Sequence, residues 1–447
     1  MSIRIKQNII PYLLIILSLS FILFVFYKDY FVFNFSLSGH YKKYYYIGAF
    51  LFFISLSTFL INQKILNNLF IIFCTLVLSF QILNLYLYLD GPGRFDDKRL
   101  YMERYFDLKE EYPNQKVSVK YGPNSGLWNS FVPLSGISNS LTPICNESGE
   151  YSIIQTDRYG FNNVDDEWNK PFVHSIFVGD SFTHGACVSE NNNIIGEFKK
   201  LLNSNKFSVL NLGYLSNGPL LYYATYREYS KNIRPKNVFF VYWEGNDLQN
   251  IYEERQVPLL NKYVQEKQFS QNLIERQDEI DKHWEKIQTI HTSDKNIKMR
   301  TKSLLVKFLT FYHVRQRLEL YERHNKNQIF NDKVNYIMKN DKTIMQLFEN
   351  VLINFNNEVK EKGGKFYFVY LPDYQRFKLD ENKKQKHHKK NEIIKLLKKN
   401  NINLIDISLE FEKLDNPYQY WPFEKDGHYN ENGYKFVAKN LFKYIKK

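Results

Sequence analysis

Phe177-Val-Gly-Asp-Ser-Phe-Thr-His-Gly185 is the stretch on which the fold of this chain turns. The apolar run Ser175–Val178 is short enough for a strand buried on both faces, and the Gly-Asp-Ser turn after it opens a helix. A turn of this kind holds a serine hydroxyl at the carboxyl end of a sheet, the edge at which open α/β sheets bind ligands. Gly, Asp and Ser are also ordinary turn residues, so the tripeptide by itself describes a plain strand-to-helix loop equally well.

Three further segments change that balance. Ser208-Val-Leu-Asn-Leu-Gly213 is a strand pattern ending on glycine, and Val238-Phe-Phe-Val-Tyr-Trp-Glu-Gly-Asn246-Asp247 is another ending on Gly-Asn-Asp. Near the C-terminus, Asp426-Gly-His428-Tyr-Asn-Glu-Asn-Gly-Tyr434 leads into an amphipathic final helix. In this order the four segments resemble the SGNH (GDSL-type) hydrolase superfamily, whose blocks supply a Ser, a Gly, an Asn and a His. The resemblance covers Tyr151 to the C-terminus. It implies a flavodoxin-like three-layer α/β domain with a parallel sheet.

Ester chemistry needs a hydroxyl nucleophile, a base within hydrogen-bond reach, a carboxylate that fixes the base's tautomer, and donors aimed at the developing oxyanion. Ser181 is the candidate nucleophile, His428 the base and Asp426 the carboxylate, with Glu424 in reserve. The resemblance implies an oxyanion hole built from the backbone N–H groups of Ser181 and Gly213 and the side-chain amide of Asn246. Asp180 is read as shaping the turn. The commonest last block of the family has its Asp three residues before the His, where this chain has Lys425. The Asp-x-His spacing is similar to that of SGNH-like proteins that O-acetylate bacterial exopolysaccharides and cell-wall glycans, and it leans the reading towards acyl transfer.

Other residues have two readings. His184 is either a pocket residue or a polar helix-start residue, and Glu244 either a substrate contact or a charge at the sheet edge. His387 and His388 lie in a lysine-rich run with no acidic or cysteine partner at ligand spacing, so a solvated face is expected there and no metal. No Gly-rich phosphate loop or zinc cysteine pattern occurs, and no cofactor is expected. The net charge is +13, yet no recognition module accompanies it, so no nucleic-acid partner is expected. Attraction to anionic lipid or acidic glycan suits the charge better.

Ile9–Tyr27, Tyr44–Gln63 and Ile65–Leu89 are uncharged and largely apolar, each long enough to cross a hydrocarbon core of about 30 Å. They predict three transmembrane helices over 1–89 of a multi-pass inner or plasma membrane protein. A cleaved signal peptide is the rival for the first, but Lys28-Asp29-Tyr30 offers no small-residue cleavage site. Arg4 and Lys6 favour a cytoplasmic N-terminus, which puts the catalytic domain outside, periplasmic or extracellular; Lys28, Lys42 and Lys43 argue the other way. Of the three cysteines, Cys74 lies in the third apolar span, leaving Cys145 and Cys187 as a disulfide of an exported domain or as two reduced buried thiols.

Residues 90–150 read as a connector rich in turn residues, and 151–447 as the hydrolase-like domain. Strands are expected at Ser175–Val178, Ser208–Leu212, Val238–Trp243, Lys365–Leu371 and Asn403–Ile407. A polar helical insert at about 248–345 is expected either as a lid over the strand ends or as a packing or oligomerisation arm. Two function classes follow. One is a serine esterase or O-acyltransferase acting on acylated glycan or a small ester, with an acyl-donor membrane partner in the transferase case. The other is a catalytically silent SGNH-fold component of a polysaccharide system.

Overall fold

The computed structural model describes residues 9–32, 38–89, 97, 99, 101–122, 131–204, 206–293, 304–317, 342–378 and 389–446. They form two compact units.

The first unit contains the helices Ile9–Tyr27, Ser38–Ser57 and Gln63–Leu89, all long and apolar enough to span a membrane. At 1.5 Å rise per residue, spans of 23, 20 and 26 residues match or exceed a hydrocarbon core of about 30 Å. Their large apolar side chains, such as Leu17, Phe24, Phe53 and Ile71, point outward rather than into a core. That surface is stable against lipid and costly in water. Gly48 lets the first two helices approach, because a Cβ there would stand 2.6 Å from Ile22 Cγ1. The short helices Leu304–Leu309 and Tyr312–Arg317 belong to this unit as well. Buried Asn84 of the third helix accepts the His313 N–H at 3.0 Å and donates to the Phe308 carbonyl at 3.4 Å. A buried polar side chain must find such partners.

The second unit is α/β. Strands β1 (Leu141–Pro143) and β2 (Ile153–Gln155) form a small antiparallel hairpin. Strands β3 (Phe172–Gly179), β4 (Phe207–Asn211), β5 (Asn237–Trp243), β6 (Lys365–Leu371) and β7 (Asn403–Asp406) form one parallel sheet in the order β4-β3-β5-β6-β7. The five predicted strands are these five, each within three residues at either end.

Strand alternation builds the two faces. Ile176, Val178, Val238, Phe240, Phe366 and Phe368 point one way, against the helices Pro219–Tyr229 and Lys342–Glu361. Phe177, Val209, Phe239, Val241 and Val369 point the other way, against the helices Ile194–Leu202 and Glu431–Lys446. Both faces are covered, so the strands read as unbroken apolar runs rather than as an alternating pattern. Strand order reverses direction at β3, which has β4 on one side and β5 on the other. In doubly wound sheets this switch point opens a crevice beyond the carboxyl ends, and Ser181 follows β3 there.

The segment before β3 packs into the same unit. Leu108, Val117, Val132 and Leu134 are buried with the first face. Within the predicted insert, the helices Asp247–Glu254, Pro258–Gln265 and Gln277–His291 also join that core through Ile251, Leu260, Ile280 and Trp284. Trp284 Nε1 donates to the Ser135 carbonyl, and Asp281 accepts the Ser138 N–H at 2.9 Å. These contacts tie residues 247–291 to the sheet domain.

Candidate active site

The nucleophile turn is built by three small or polar residues. A Cβ at Gly179 would stand 2.0 Å from Thr183 Oγ1, so only glycine lets the first helical turn fold back on the strand end. Asp180 caps that turn, its carboxylate accepting the Phe182 N–H at 2.9 Å. Gly185 ends the turn in the left-handed region at φ 85°. Asp180 is fully buried, and burial pushes its carboxyl up to about 6 against the N–H bonds and the His428 charge that lower it. It serves the turn, as expected.

Ser181 Oγ lies 2.8 Å from His428 Nε2. The other ring nitrogen, Nδ1, faces Glu147 Oε2 at 3.2 Å, and the same carboxylate oxygen accepts the His428 backbone N–H at 2.7 Å. One carboxylate thus fixes both the ring and the backbone of the base. Both side chains are 23 % exposed, so substrate can reach the pair. Ser181, His428 and Glu147 stand in the order hydroxyl, imidazole, carboxylate.

Asp426, expected at Nδ1, is elsewhere. The chain bends between Glu424 and His428, and the Asp426 carboxylate turns to the segment Tyr374–Lys378, where Oδ2 accepts Gln375 Nε2 at 2.8 Å. Glu424, the reserve, accepts Asn416 Nδ2 at 3.0 Å. The nearby Asp373 carboxyl rises to about 7, first through burial and then through the neighbouring negative charges of Asp426 and Glu244.

Of the expected oxyanion donors, Gly213 is differently engaged. Its N–H donates to Asn211 Oδ1 at 3.0 Å. Its lack of a side chain serves packing, since a Cβ there would stand 2.6 Å from the His184 N atom. Asn246 precedes the helix Asp247–Glu254 without a side-chain cap bond, and its buried Oδ1 has no protein partner. Asn246 thus lies just beyond the end of β5. Asp247 beside it is committed, accepting the Tyr222 hydroxyl and the Trp243 N–H.

Several elements brace the turn. Asp157 accepts the N–H groups of Tyr159 and Phe161, the Trp168 indole and the Asn163 amide. Asn163 in turn bonds the backbone of Asn211 in both directions, and Asn162 Nδ2 donates to the His184 carbonyl at 2.7 Å. The Tyr-Gly-Phe-Asn-Asn stretch thereby fixes the end of the nucleophile helix to β4. His184 is buried with an unpartnered Nδ1, and burial first, then the charges of His428 and Lys120, push it down to about 3. It belongs to the interior rather than to the exposed face of a helix start. Phe182 packs on the rings of Trp243, His428 and Tyr429, walling one side of the base. Glu244 forms a buried pair with Arg376 and accepts the Tyr370 hydroxyl and the Asp373 N–H, a structural knot at the end of β5. His387 and His388 lie outside the described residues.

Cys145 and Cys187 form a disulfide. Glu147 is the residue that sequence reasoning missed. The signal was its place two residues after Cys145, because pairing Cys145 with Cys187 brings that loop beside the nucleophile.

No family model and no curated protein matches the chain. Solved structures similar to it include a G-D-S-L family lipolytic protein from Desulfitobacterium hafniense, at 10 % identity and TM-score 0.32, covering 61 % of this chain and 98 % of that one. A lipase/acylhydrolase from Enterococcus faecalis shares 12 % identity at TM-score 0.32, covering 61 % and 96 %. The acetyl xylan esterase AlAXEase shares 14 % identity at TM-score 0.30, covering 61 % and 100 %. At such distances the chemistry is read from this chain's own side chains.

Proposed function

We propose that this chain is a membrane-anchored serine hydrolase of SGNH type that carries an acyl group on Ser181. One observation carries the reading: Ser181 Oγ lies 2.8 Å from His428 Nε2 while a carboxylate engages Nδ1 of the same ring. Ser181 Oγ attacks the ester carbonyl as its proton passes to His428 Nε2. Glu147 stabilises the imidazolium that forms, which at the Nδ1 edge donates to its carboxylate. The Ser181 N–H and the Asn246 amide take the charge that develops on the carbonyl oxygen. His428 then gives its proton to the leaving alcohol, and an acyl-Ser181 ester remains. Water or a sugar hydroxyl, deprotonated by the same base, releases the acyl group.

The substrate in this reading is an acyl, above all acetyl, ester of a surface or secreted glycan. The positive net charge and the adjoining apolar helices support work on a polymer at a membrane face. The Asp-x-His spacing no longer favours transfer over hydrolysis, because the carboxylate at Nδ1 is Glu147.

A serine-directed fluorophosphonate tests the reading. The detergent-solubilised full chain is expected to take up one label, Ser181→Ala none, and His428→Ala to label roughly 10³-fold more slowly or worse. Equal labelling of the wild type and Ser181→Ala would remove Ser181 from the nucleophile role.

A further inference from the structure

The carboxylate on His428 comes from a hairpin turn outside the parallel sheet. Glu147 sits in the turn of the β1–β2 hairpin, whose strands are three residues each. Two backbone bonds close the turn, Ile144 N–H to the Ser152 carbonyl at 2.8 Å and Ser152 N–H to the Cys145 carbonyl at 2.9 Å. Gly149 N–H donates to the Asn146 carbonyl at 3.1 Å within it, and Asp97 ties it from outside, its N–H donating to the Gly149 carbonyl and its carbonyl accepting Asn146 Nδ2 at 3.0 Å. A two-stranded hairpin of this size is marginal by itself in water, so the placing of Glu147 depends on what ties the turn to the rest of the domain.

On the side that faces His428, the turn is tied to the nucleophile's own loop. The Cys145–Cys187 disulfide joins it to a residue two positions beyond Gly185, the end of the nucleophile helix, with Cα atoms 5.1 Å apart. Ser148 Oγ adds a second tie, donating to the Cys187 carbonyl at 3.0 Å. Ile144, Ile154, Ala186 and Cys187 pack as a small apolar cluster around the bond. Glu147 therefore has a tethered neighbour on each side in sequence, Cys145 before it and Ser148 after it. Cys187 Sγ also lies 3.6 Å from His428 Nδ1, beside the nitrogen that Glu147 engages.

From this arrangement we propose that the Cys145–Cys187 disulfide is a positioning device for the catalytic base. It keeps the Glu147 carboxylate on His428 Nδ1, so full activity requires the oxidised bond. The proposal rests on the Ser181 chemistry above and adds to it a dependence on redox state. A dithiol reverses the state: its two thiols give two electrons and two protons to the disulfide, the S–S bond breaks, and the dithiol closes into its own disulfide. Two thiols remain. Their sulfurs no longer share a bond and must move apart to van der Waals distance, and the hairpin turn loses its covalent tether. The Cys187 thiol then competes with Glu147 for the Nδ1 edge.

The test uses the full chain in detergent, with p-nitrophenyl acetate as substrate, before and after treatment with dithiothreitol. In the wild type kcat/KM is expected to fall at least tenfold on reduction and to return on reoxidation, with the far-ultraviolet circular dichroism unchanged. Glu147→Gln, already slow, is expected to be the same in both states, because the disulfide acts through that carboxylate. The acidic limb of the pH–rate profile of reduced wild type should move to its position in Glu147→Gln, and a Cys145→Ser/Cys187→Ser double variant should match reduced wild type. A wild-type rate indifferent to reduction, or an equal fall in wild type and Glu147→Gln, would overturn the coupling while leaving Ser181 as the nucleophile. A wild type that neither hydrolyses the ester nor takes up the phosphonate would overturn both.

Discussion

At the scale of single residues, the site divides by sequence distance. Ser181 and Asn246 were legible because each ends a strand of the same parallel sheet, and strand-end position is written locally in an apolar run followed by a turn. His428 was legible from its place before the last helix. Its carboxylate was not, because Glu147 stands 281 residues away on a hairpin turn that no periodicity links to the sheet. The assignment makes opposite predictions for the two acids. Glu147→Gln keeps the size and removes the charge, and should lower kcat/KM by about 10²–10⁴-fold, as loss of the orienting carboxylate does in serine enzymes. Asp426→Asn, at a side chain turned away from the base, should stay within about two-fold. Steady-state ester hydrolysis by the two purified variants measures both. His184 makes a third prediction, about stability. Its ordinary value is 6.5 and its folded value about 3, so the unfolded chain binds the proton more readily. Its contribution is thus present above pH 6.5 and is lost as pH falls towards 3. Relative to His184→Phe, which cannot titrate, the wild type should lose on the order of 3 kcal/mol between pH 6.5 and 4. Guanidinium unfolding at several pH values measures the difference, and parallel curves for the two proteins would refute it.

At the scale of elements, the five strands were read within a few residues because a parallel sheet covered on both faces leaves continuous apolar runs. In the Asp157–Asn163 stretch Gly160 adopts φ 80°. The purpose of the stretch was hidden from the sequence, since the partners of Asn162 and Asn163 lie on the nucleophile helix and β4. A Cβ at Gly160 would stand 2.1 Å from the Gly136 carbonyl oxygen, a backbone atom that cannot step aside alone. Gly160→Ala should therefore destabilise the domain by at least about 2 kcal/mol, through left-handed strain and displacement together. Thermal unfolding gives the number, and an unchanged midpoint would contradict the packing described. The polar composition of residues 248–345 announced helices but not their partners. Residues 247–291 found theirs in the core of the sheet domain, and 304–317 among the long apolar helices of the first unit.

At the scale of the whole molecule, hydropathy made the three long N-terminal helices legible, because length and composition alone decide whether a helix can cross a bilayer. We propose export of the sheet domain, on the ground of its disulfide. A bond between Cys145 and Cys187 persists in an oxidising compartment and is reduced in a cytosol. An alkaline-phosphatase fusion after Leu89 is therefore expected to be active, and a junction that works only with a cytoplasmic reporter would contradict export. The central claim is that Ser181 holds the acyl group between two half-reactions, and mass spectrometry of the trapped intermediate tests it most directly. The full chain, mixed with p-nitrophenyl acetate and quenched in acid within the first turnover, should yield an acetylated peptide whose fragments place the acetyl group on Ser181. Ester turnover with no acetyl on Ser181, or undiminished turnover by Ser181→Ala, would contradict the account.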